Sequence, residues 1–415
     1  MALIVQKFGG SSVANPECLQ RVADWVLDVK KKGNDVIVIV SAMGDTTDDL
    51  IALAHQITPD PDDREMDVLM ATGEQVAMAL LTMALHARGA KAVSLTGPQA
   101  GIHTDSMHRK AKIMGINPKR ILSHLKQGHI VIVAGFQGLT PSQDIATLGR
   151  GGSDATAVAL AAALKADRCQ VFKDVEGIYS ADPRIVKDAR KLDEISYDEM
   201  LELAGSGAQV LMSRSVEFAK KYGVQLEVLS SFIKKPGTIV KEEVKSMENV
   251  IVRGVSADTN QVKITLEGVP DRPGVAARIF KELAGAGINI DMIIQNISAR
   301  GQADISFTVP GEDLGKTKNI MKSVSKAIDF KAINVDNDIA KVSIVGVGMR
   351  GHSGVAFQMF KALAGQDINI LMISTSEIKI SVIIRKKFAN LAMKTLHRAF
   401  QLHRKKALNP SIKQK

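Results

Sequence analysis

At 415 residues, with 45% apolar and 24% charged side chains, the chain holds enough apolar material for two to four domains, and it reads as globular, neither disordered nor fibrous. Its two cysteines, Cys18 and Cys169, lie far apart with no histidine at ligand spacing, which argues against a disulfide framework or a metal motif. The net charge of +10 gathers after Glu377, where every charged residue is basic, and only Phe388 and Phe400 are aromatic there; this predicts a solvated basic helix with a tail over 404–415, without nucleic acid as partner. No uninterrupted apolar run reaches the roughly 20 residues that span a bilayer, and Met1 leads straight into a strand, so a cytoplasmic protein without a membrane partner is expected.

The first strand, Leu3 to Phe8, ends in Lys7-Phe8-Gly9-Gly10-Ser11-Ser12, with a helix expected from Pro16. A lysine closing a buried strand, then glycines whose amides can approach an oxyanion, describes a phosphate cradle. The P-loop has its lysine after the glycines, so this is a different device. Further strands are predicted at Val36–Val40, Ala92–Leu95, Ile130–Ala134, Cys169–Phe172 and Gln225–Leu229. Helices are predicted at Pro16–Lys32, Glu65–Arg88, Pro118–Gln127, Ser153–Lys165 and Ala208–Tyr222. Continuous apolar strands suit a sheet covered on both faces, and the alternation predicts a three-layer α/β/α domain over 1–245. A second glycine-rich segment, Gly149-Arg150-Gly151-Gly152-Ser153-Asp154, precedes an apolar helix whose cap is expected at Ser153 or Asp154. Glu74 falls on the apolar stripe Met70, Ala77, Leu81, where an acid either has a partner or faces a cavity.

Beyond a charged stretch at Lys241–Asn249, the chain repeats itself. Gly274–Ile293 matches Gly354–Ile373 at a shift of 80, with 13 of 20 positions identical. Two copies of one βαββαβ unit are predicted, over 262–337 and 340–403. Neither copy carries paired catalytic carboxylates or a nucleophile, which favours a ligand-sensing role over chemistry.

The motifs Lys7-Phe8-Gly9-Gly10-Ser11-Ser12-Val13, Ser41-Ala42-Met43-Gly44, Gly73-Glu74, Ala134-Gly135-Phe136, Gly149 to Asp154, Asp182-Pro183-Arg184 and Arg214-Ser215-Val216-Glu217 occur in the order found in the aspartate kinase family. The chain resembles that family over nearly its whole length, and the repeats resemble its tandem ACT domains. The resemblance implies an amino-acid-kinase fold with two ferredoxin-like domains. The implied reaction is magnesium-ATP-dependent phosphorylation of the side-chain carboxylate of L-aspartate, opening synthesis of lysine, threonine and methionine. Such a carboxylate is already ionised at neutral pH, so positioning and charge neutralisation suffice.

By this resemblance Lys7 bridges the transferring phosphoryl, Arg150 clamps the aspartate α-carboxylate, and Asp154 orients Lys7 or takes the substrate amine. Glu74 and Thr47, with Gly151, Gly152 and Ser153, complete the implied substrate pocket. The alternative for Glu74, less favoured, is half of a buried ion pair, and Thr47 can also cap a helix from Asp48. ATP is expected on Lys7, Phe8, Gly9, Gly10, Ser11, Ser41, Lys173, Asp174, Tyr179, Arg184 and Gln209. Lys173 stands where the family places Thr or Ser, and Gln209 where many members have lysine. In the repeats, Asn289, Ile290, Asp291, Gln295 and Asn296, with Asn369, Ile370 and Ser376, are the expected effector positions for lysine or threonine or both. Asp291 aligns with Leu371, so an amine-binding carboxylate is expected in one copy only, and pairing of such units across chains implies a dimer or larger. The alternatives are another kinase of the same fold, acting on glutamate, N-acetylglutamate or a nucleotide, or an amino-acid sensor with a silent kinase half.

Overall fold

The computed structural model describes residues 1–208, 210–242, 244, 251–297 and 301–404, which form two compact units. Of these, 1–179, 191–205 and the described residues of 210–244 belong to the first, and 180–190, 206–208 and the described residues from 251 to 404 to the second.

The first unit begins with β1 (Leu3–Phe8), α1 (Pro16–Lys31), β2 (Asp35–Val40), α2 (Thr46–Ile57) and α3 (Asp63–His86). There follow β3 (Ala92–Leu95), β4 (Ile102–Thr104), β5 (Ile113–Ile116), α4 (Lys119–Lys126), β6 (Ile130–Ala134), β7 (Gln137–Leu139) and β8 (Ile145–Thr147). It closes with α5 (Gly152–Ala163), β9 (Arg168–Lys173), β10 (Glu194–Ser196), α6 (Tyr197–Gly205), α7 (Ser213–Tyr222), β11 (Leu226–Ser230) and β12 (Thr238–Lys241). Eight strands form one sheet in the order β10-β12-β11-β9-β1-β2-β6-β3, and only the β11–β12 pairing is antiparallel. The run Val36 to Val40 is wholly buried, as a strand covered on both faces requires. Strands β4, β5, β7 and β8 form a separate small sheet that the apolar pattern did not disclose, because strands of three or four residues carry almost no periodicity.

Two helix predictions need correction. The helix expected from Ala208 starts at Ser213, because Gly207 takes φ +106° and turns the chain before it. Helix α3 is long and apolar enough to cross a membrane by length and composition, contrary to the expectation that no segment would be, yet Met70, Ala77, Leu81 and Leu85 on it are buried in this unit.

The second unit contains β13 (Gly254–Asp258), β14 (Gln261–Pro270), α8 (Val275–Gly285), β15 (Ile293–Ile297), β16 (Gln302–Pro310), α9 (Leu314–Val324) and β17 (Ala332–Asp336). It continues with β18 (Ile339–Val345), α10 (Val355–Ala364), β19 (Met372–Thr375), β20 (Lys379–Arg385) and α11 (Ala389–Ala399). The first copy makes the sheet β15-β16-β14-β17, a complete βαββαβ unit. The second copy makes β13-β18-β20-β19, so its fourth strand comes from before the first copy in sequence. The two copies follow one another in sequence, as expected, but the sheet of the second is completed by β13, which precedes the first. Gly274 and Gly354 cap α8 and α10 in the same left-handed conformation, at φ +90° and +93°, which only glycine adopts cheaply.

Candidate active site at the carboxyl ends of the central strands

Parallel strands bring their carboxyl ends to one edge of the sheet, where ligands of open α/β sheets bind. Here those ends present Lys7 from β1, the Ser41–Gly44 loop after β2, Gly135 after β6 and Lys173 from β9. Side chains alternate along β1, so Lys7 and Phe8 face opposite ways. Phe8 is fully buried and stacks on Phe172 at 4.4 Å. Its carbonyl accepts from the Ser41 amide at 3.2 Å. The expectation that Phe8 touches nucleotide is thus corrected for its side chain, which belongs to the core.

Lys7 turns toward α5. Its Nζ lies 2.6 Å from Asp154 Oδ1, and Lys173 Nζ lies 2.9 Å from Oδ2 of the same carboxylate. Asp154 is 2% exposed and Lys7 is 5% exposed, so a buried ion pair here carries a second, half-buried cation, Lys173, on the same anion. Burial pushes the Asp154 carboxyl up, but the ammonium groups of Lys7 and Lys173 together outweigh it and bring it down to about 2. Burial also lowers Lys7, more than Asp154 raises it. The ammonium of Lys7 lies against Gly9, where an added Cβ would be 3.6 Å from Nζ.

The cradle glycines do not run directly into α1. Gly10–Val13 forms a short 3-10 turn, and Asn15 then caps α1 by accepting from the Cys18 amide. Helix α1 thus starts at Pro16, as expected, and its dipole begins beyond the cradle. Gly10 approaches the next loop closely, since a Cβ there would sit 3.0 Å from the carbonyls of Ala42 and Gly44. Ser12 is spent on Ser231, Oγ to Oγ at 2.9 Å, whereas Ser11 is exposed.

Glu74 projects from α3 into the same site. Its Oε1 accepts from the Ala42 amide at 3.1 Å, and Oε2 is buried with no hydrogen-bond partner. It makes no ion pair among the described residues, where the reading of Glu74 as half of a buried pair is corrected. Burial is the main reason its carboxyl rises to about 7, against the pull of the Ala42 amide and Lys7. Thr47 is half-buried in the first turn of α2, which starts at Thr46 after Asp45, so Thr47 is not the cap.

Gly151, at φ +73°, is the N-cap of α5, which places Ser153 and Asp154 inside the first turn; the expected capping role of those two is corrected. Met212 covers this glycine so closely that an added Cβ would fall 2.2 Å from its Cγ. Arg214 donates to the carbonyls of Leu148 at 2.6 Å and Ala111 at 2.8 Å, pinning both segments beside the loop. Arg150 at the loop's tip is exposed, and it has no side-chain partner among the described residues. Asp67, fully buried, accepts from the Arg109 amide, His108 and Thr147, and so ties the small sheet to α3. Sequence reading missed Asp67 and the bracing by Met212 and Arg214. A charged residue on an apolar helix face was the one available signal, for Asp67.

Of the remaining expected nucleotide residues, Asp174 is exposed and Tyr179 is half-buried, bridging to Lys191. Arg184 belongs to the second unit, where its guanidinium grips Asp182 through Nε and Nη2. Gln209 and the tail from 405 lie outside the described residues. In the repeats, Asn289 and Asn369 are exposed at equivalent positions, as are Gln295, Asn296 and Ser376, while Ile290 and Ile370 are half-buried. Asp291 is not a free carboxylate: the Lys341 ammonium, 1% exposed, is ion-paired to it. The expectation of an unoccupied amine-binding acid is corrected, because a buried lysine needs that counter-charge.

Residues 2–230 match the family model "Amino acid kinase family", and 262–324 and 342–400 match the ACT domain. An aspartokinase of Pseudomonas aeruginosa is 52% identical over 404 residues, covering 97% of this chain and 98% of that protein. An aspartokinase of Geobacillus stearothermophilus is 53% identical over 402 residues at the same coverage. Among solved structures, Escherichia coli aspartokinase III in complex with aspartate and ADP (R-state) superposes with a TM-score of 0.83 at 26% identity, covering 96% of this chain and 99% of that one. The same enzyme in complex with lysine and aspartate (T-state) gives a TM-score of 0.73.

Proposed function

This chain belongs to the amino acid kinase family and is an aspartate kinase, and from that premise we propose that Lys7, Glu74, Asp154 and Lys173 form the centre where the γ-phosphoryl of magnesium-ATP passes to the L-aspartate side chain. The observation that carries this reading is the buried Asp154 carboxylate holding two ammonium groups beside Gly9. Two cations on one anion leave a net positive charge at the mouth of a glycine cradle, and a transferring phosphoryl group calls for such a charge. A substrate Oδ attacks the γ-phosphorus while the bond to the β-phosphate oxygen breaks, giving 4-phospho-L-aspartate and ADP. No base is required, because the attacking carboxylate is ionised at neutral pH. Lys7 follows the developing charge on the phosphoryl oxygens, and the amides from Gly9 to Ser11 hold the phosphates with Ser41 nearby.

Aspartate's amine is assigned to Glu74, whose unpartnered Oε2 gains a cation there. Its α-carboxylate is assigned to Arg150 and to the start of α5 at Gly151–Ser153, with Thr47 opposite. Lys173 holds Asp154 in line and brings its own charge to the phosphates. ATP's remaining parts fall to Asp174, Tyr179 and Gln209. For magnesium the donor set fits a phosphate-borne ion: Asp154 is committed to two lysines, and exposed Asp174 is the carboxylate that would hold it. Held there, the ion would supply positive charge to the phosphate oxygens. A cytoplasmic location suits a reaction fed by ATP and a chain with two buried free thiols.

The ACT repeats make the enzyme an allosteric one. We assign the effector, lysine or threonine or both, to the exposed polar residues Asn289, Gln295 and Asn296 of the first copy, with Asn369 and Ser376 at the equivalent places, in a dimer or larger assembly. That a lysine complex of aspartokinase III carries the T-state label supports this reading. Hydroxylamine trapping tests the activity. An aspartate-dependent hydroxamate is expected, with none from glutamate, N-acetylglutamate or nucleotides; absence of any product under saturating ATP favours a silent sensor.

A further inference from the structure

A cluster of ligating side chains in the second unit lies among residues to which the phosphotransfer gives no role. His397, in the last turn of α11, has a fully buried imidazole. Its Nε2 is 3.0 Å from Ser180 Oγ, which also accepts from the Arg190 amide. Its Nδ1 is buried without a hydrogen-bond partner and points toward Asp188, at 3.7 Å from Oδ1. Past α11 the chain reverses: Gln401 takes φ +53°, the Leu402 amide bonds back to the His397 carbonyl, and the Leu402 side chain enters the core. That turn returns His403 over His397, with ring centroids 6.3 Å apart. One ligand atom each from Asp188, His397 and His403 then lie within 4.8 Å of one another.

We propose that Asp188, His397 and His403 form a site for a divalent transition metal ion of the zinc class. Two imidazoles and one carboxylate are a donor set that zinc accepts, with water in a fourth position. A metal on Nδ1 requires the Nε2–H tautomer, and that hydrogen is donated to Ser180 Oγ. Such a bond to the far nitrogen is the usual orienting device of a ligating histidine. The buried ligand is therefore already aimed, while Asp188 and His403 are exposed and need only rotate toward it. Occupancy would clip the 180–190 excursion to the end of α11, both within the second unit.

Cobalt(II) is the probe, because its visible d–d absorption reports histidine–carboxylate coordination. Titrating the full chain is expected to give a saturable one-equivalent band that zinc displaces. His403→Gln and Asp188→Asn, both at exposed positions, are expected to abolish the band and weaken zinc binding tenfold or more. The thermal midpoint should rise with zinc in wild type and not in either variant. The proposal is overturned if wild type gives no band, or if both variants bind cobalt and zinc as wild type does, which would place the metal on the chain's other histidines. Ser180→Ala is a positioning variant and is expected to weaken zinc binding while keeping the band.

Discussion

Glu74→Gln isolates the cost of burying one carboxylate in the active site. The carboxyl is raised from 4.5 to about 7, chiefly by burial. A carboxyl that holds its proton more tightly in the folded state than in the unfolded one costs nothing below pH 4.5. Its cost grows as the pH climbs toward 7 and is complete above that. Between pH 5 and pH 8.5 the wild type is expected to lose ~2.5 kcal/mol that the variant keeps. The variant's Oε1 still accepts from the Ala42 amide, and its buried NH2 adds an unpartnered donor at ~1–3 kcal/mol, a cost that does not change with pH. The midpoint difference, variant minus wild type, should therefore climb by roughly 5–10 °C over that range. Circular-dichroism melts at the two pH values measure it. Parallel pH profiles for the two proteins would refute the argument, since they would mean that Glu74 carries no raised pKa. Saturating aspartate adds a second reading: its ammonium beside Glu74 favours the ionised form, so binding at pH 6.5 should release a proton in wild type and not in the variant.

Lys7→Ala is expected to lower kcat by roughly 100-fold or more with little change in the aspartate KM, because its charge counts most in the transition state. Arg150→Ala should mainly raise that KM, and steady-state kinetics showing the reverse pattern would undo both assignments. Gly151→Ala meets both a left-handed backbone and Met212 Cγ at 2.2 Å; it should cost over ~1 kcal/mol and activity, with partial rescue by Met212→Ala, and failure of rescue would show that backbone strain alone is responsible. Asp291→Ala removes one ion-pair partner of the buried Lys341 ammonium and should lower stability by roughly 1–3 kcal/mol, whereas Gln295→Ala should leave the melt unchanged and blunt inhibition by lysine or threonine. Unaltered inhibition in the Gln295 variant would remove it from the effector site.

Some of this was legible in contiguous residues. Lys7-Phe8-Gly9-Gly10 announced a strand end facing an anion, and Val36 to Val40 announced a sheet covered on both faces. The near-identical stretches from Gly274 and Gly354 announced a duplicated unit. Period and local propensity are properties of neighbours in the chain, so they survive without a structure. Other features depended on which elements became neighbours. Lys173 meets Asp154 only because β9 lies beside β1 while α5 covers that face. Glu74 takes its hydrogen bond from a backbone amide because the loop after β2 reaches it. Asp291 is bound to a lysine 50 positions away, and β13 completes a sheet whose other strands follow the first repeat. Asp188, His397 and His403 share no spacing that a motif could register. Burial favours such partnerships, since a charge or ring nitrogen withdrawn from water and left unanswered costs free energy. Which group answers is decided by strand order and helix placement, and those belong to the tertiary structure.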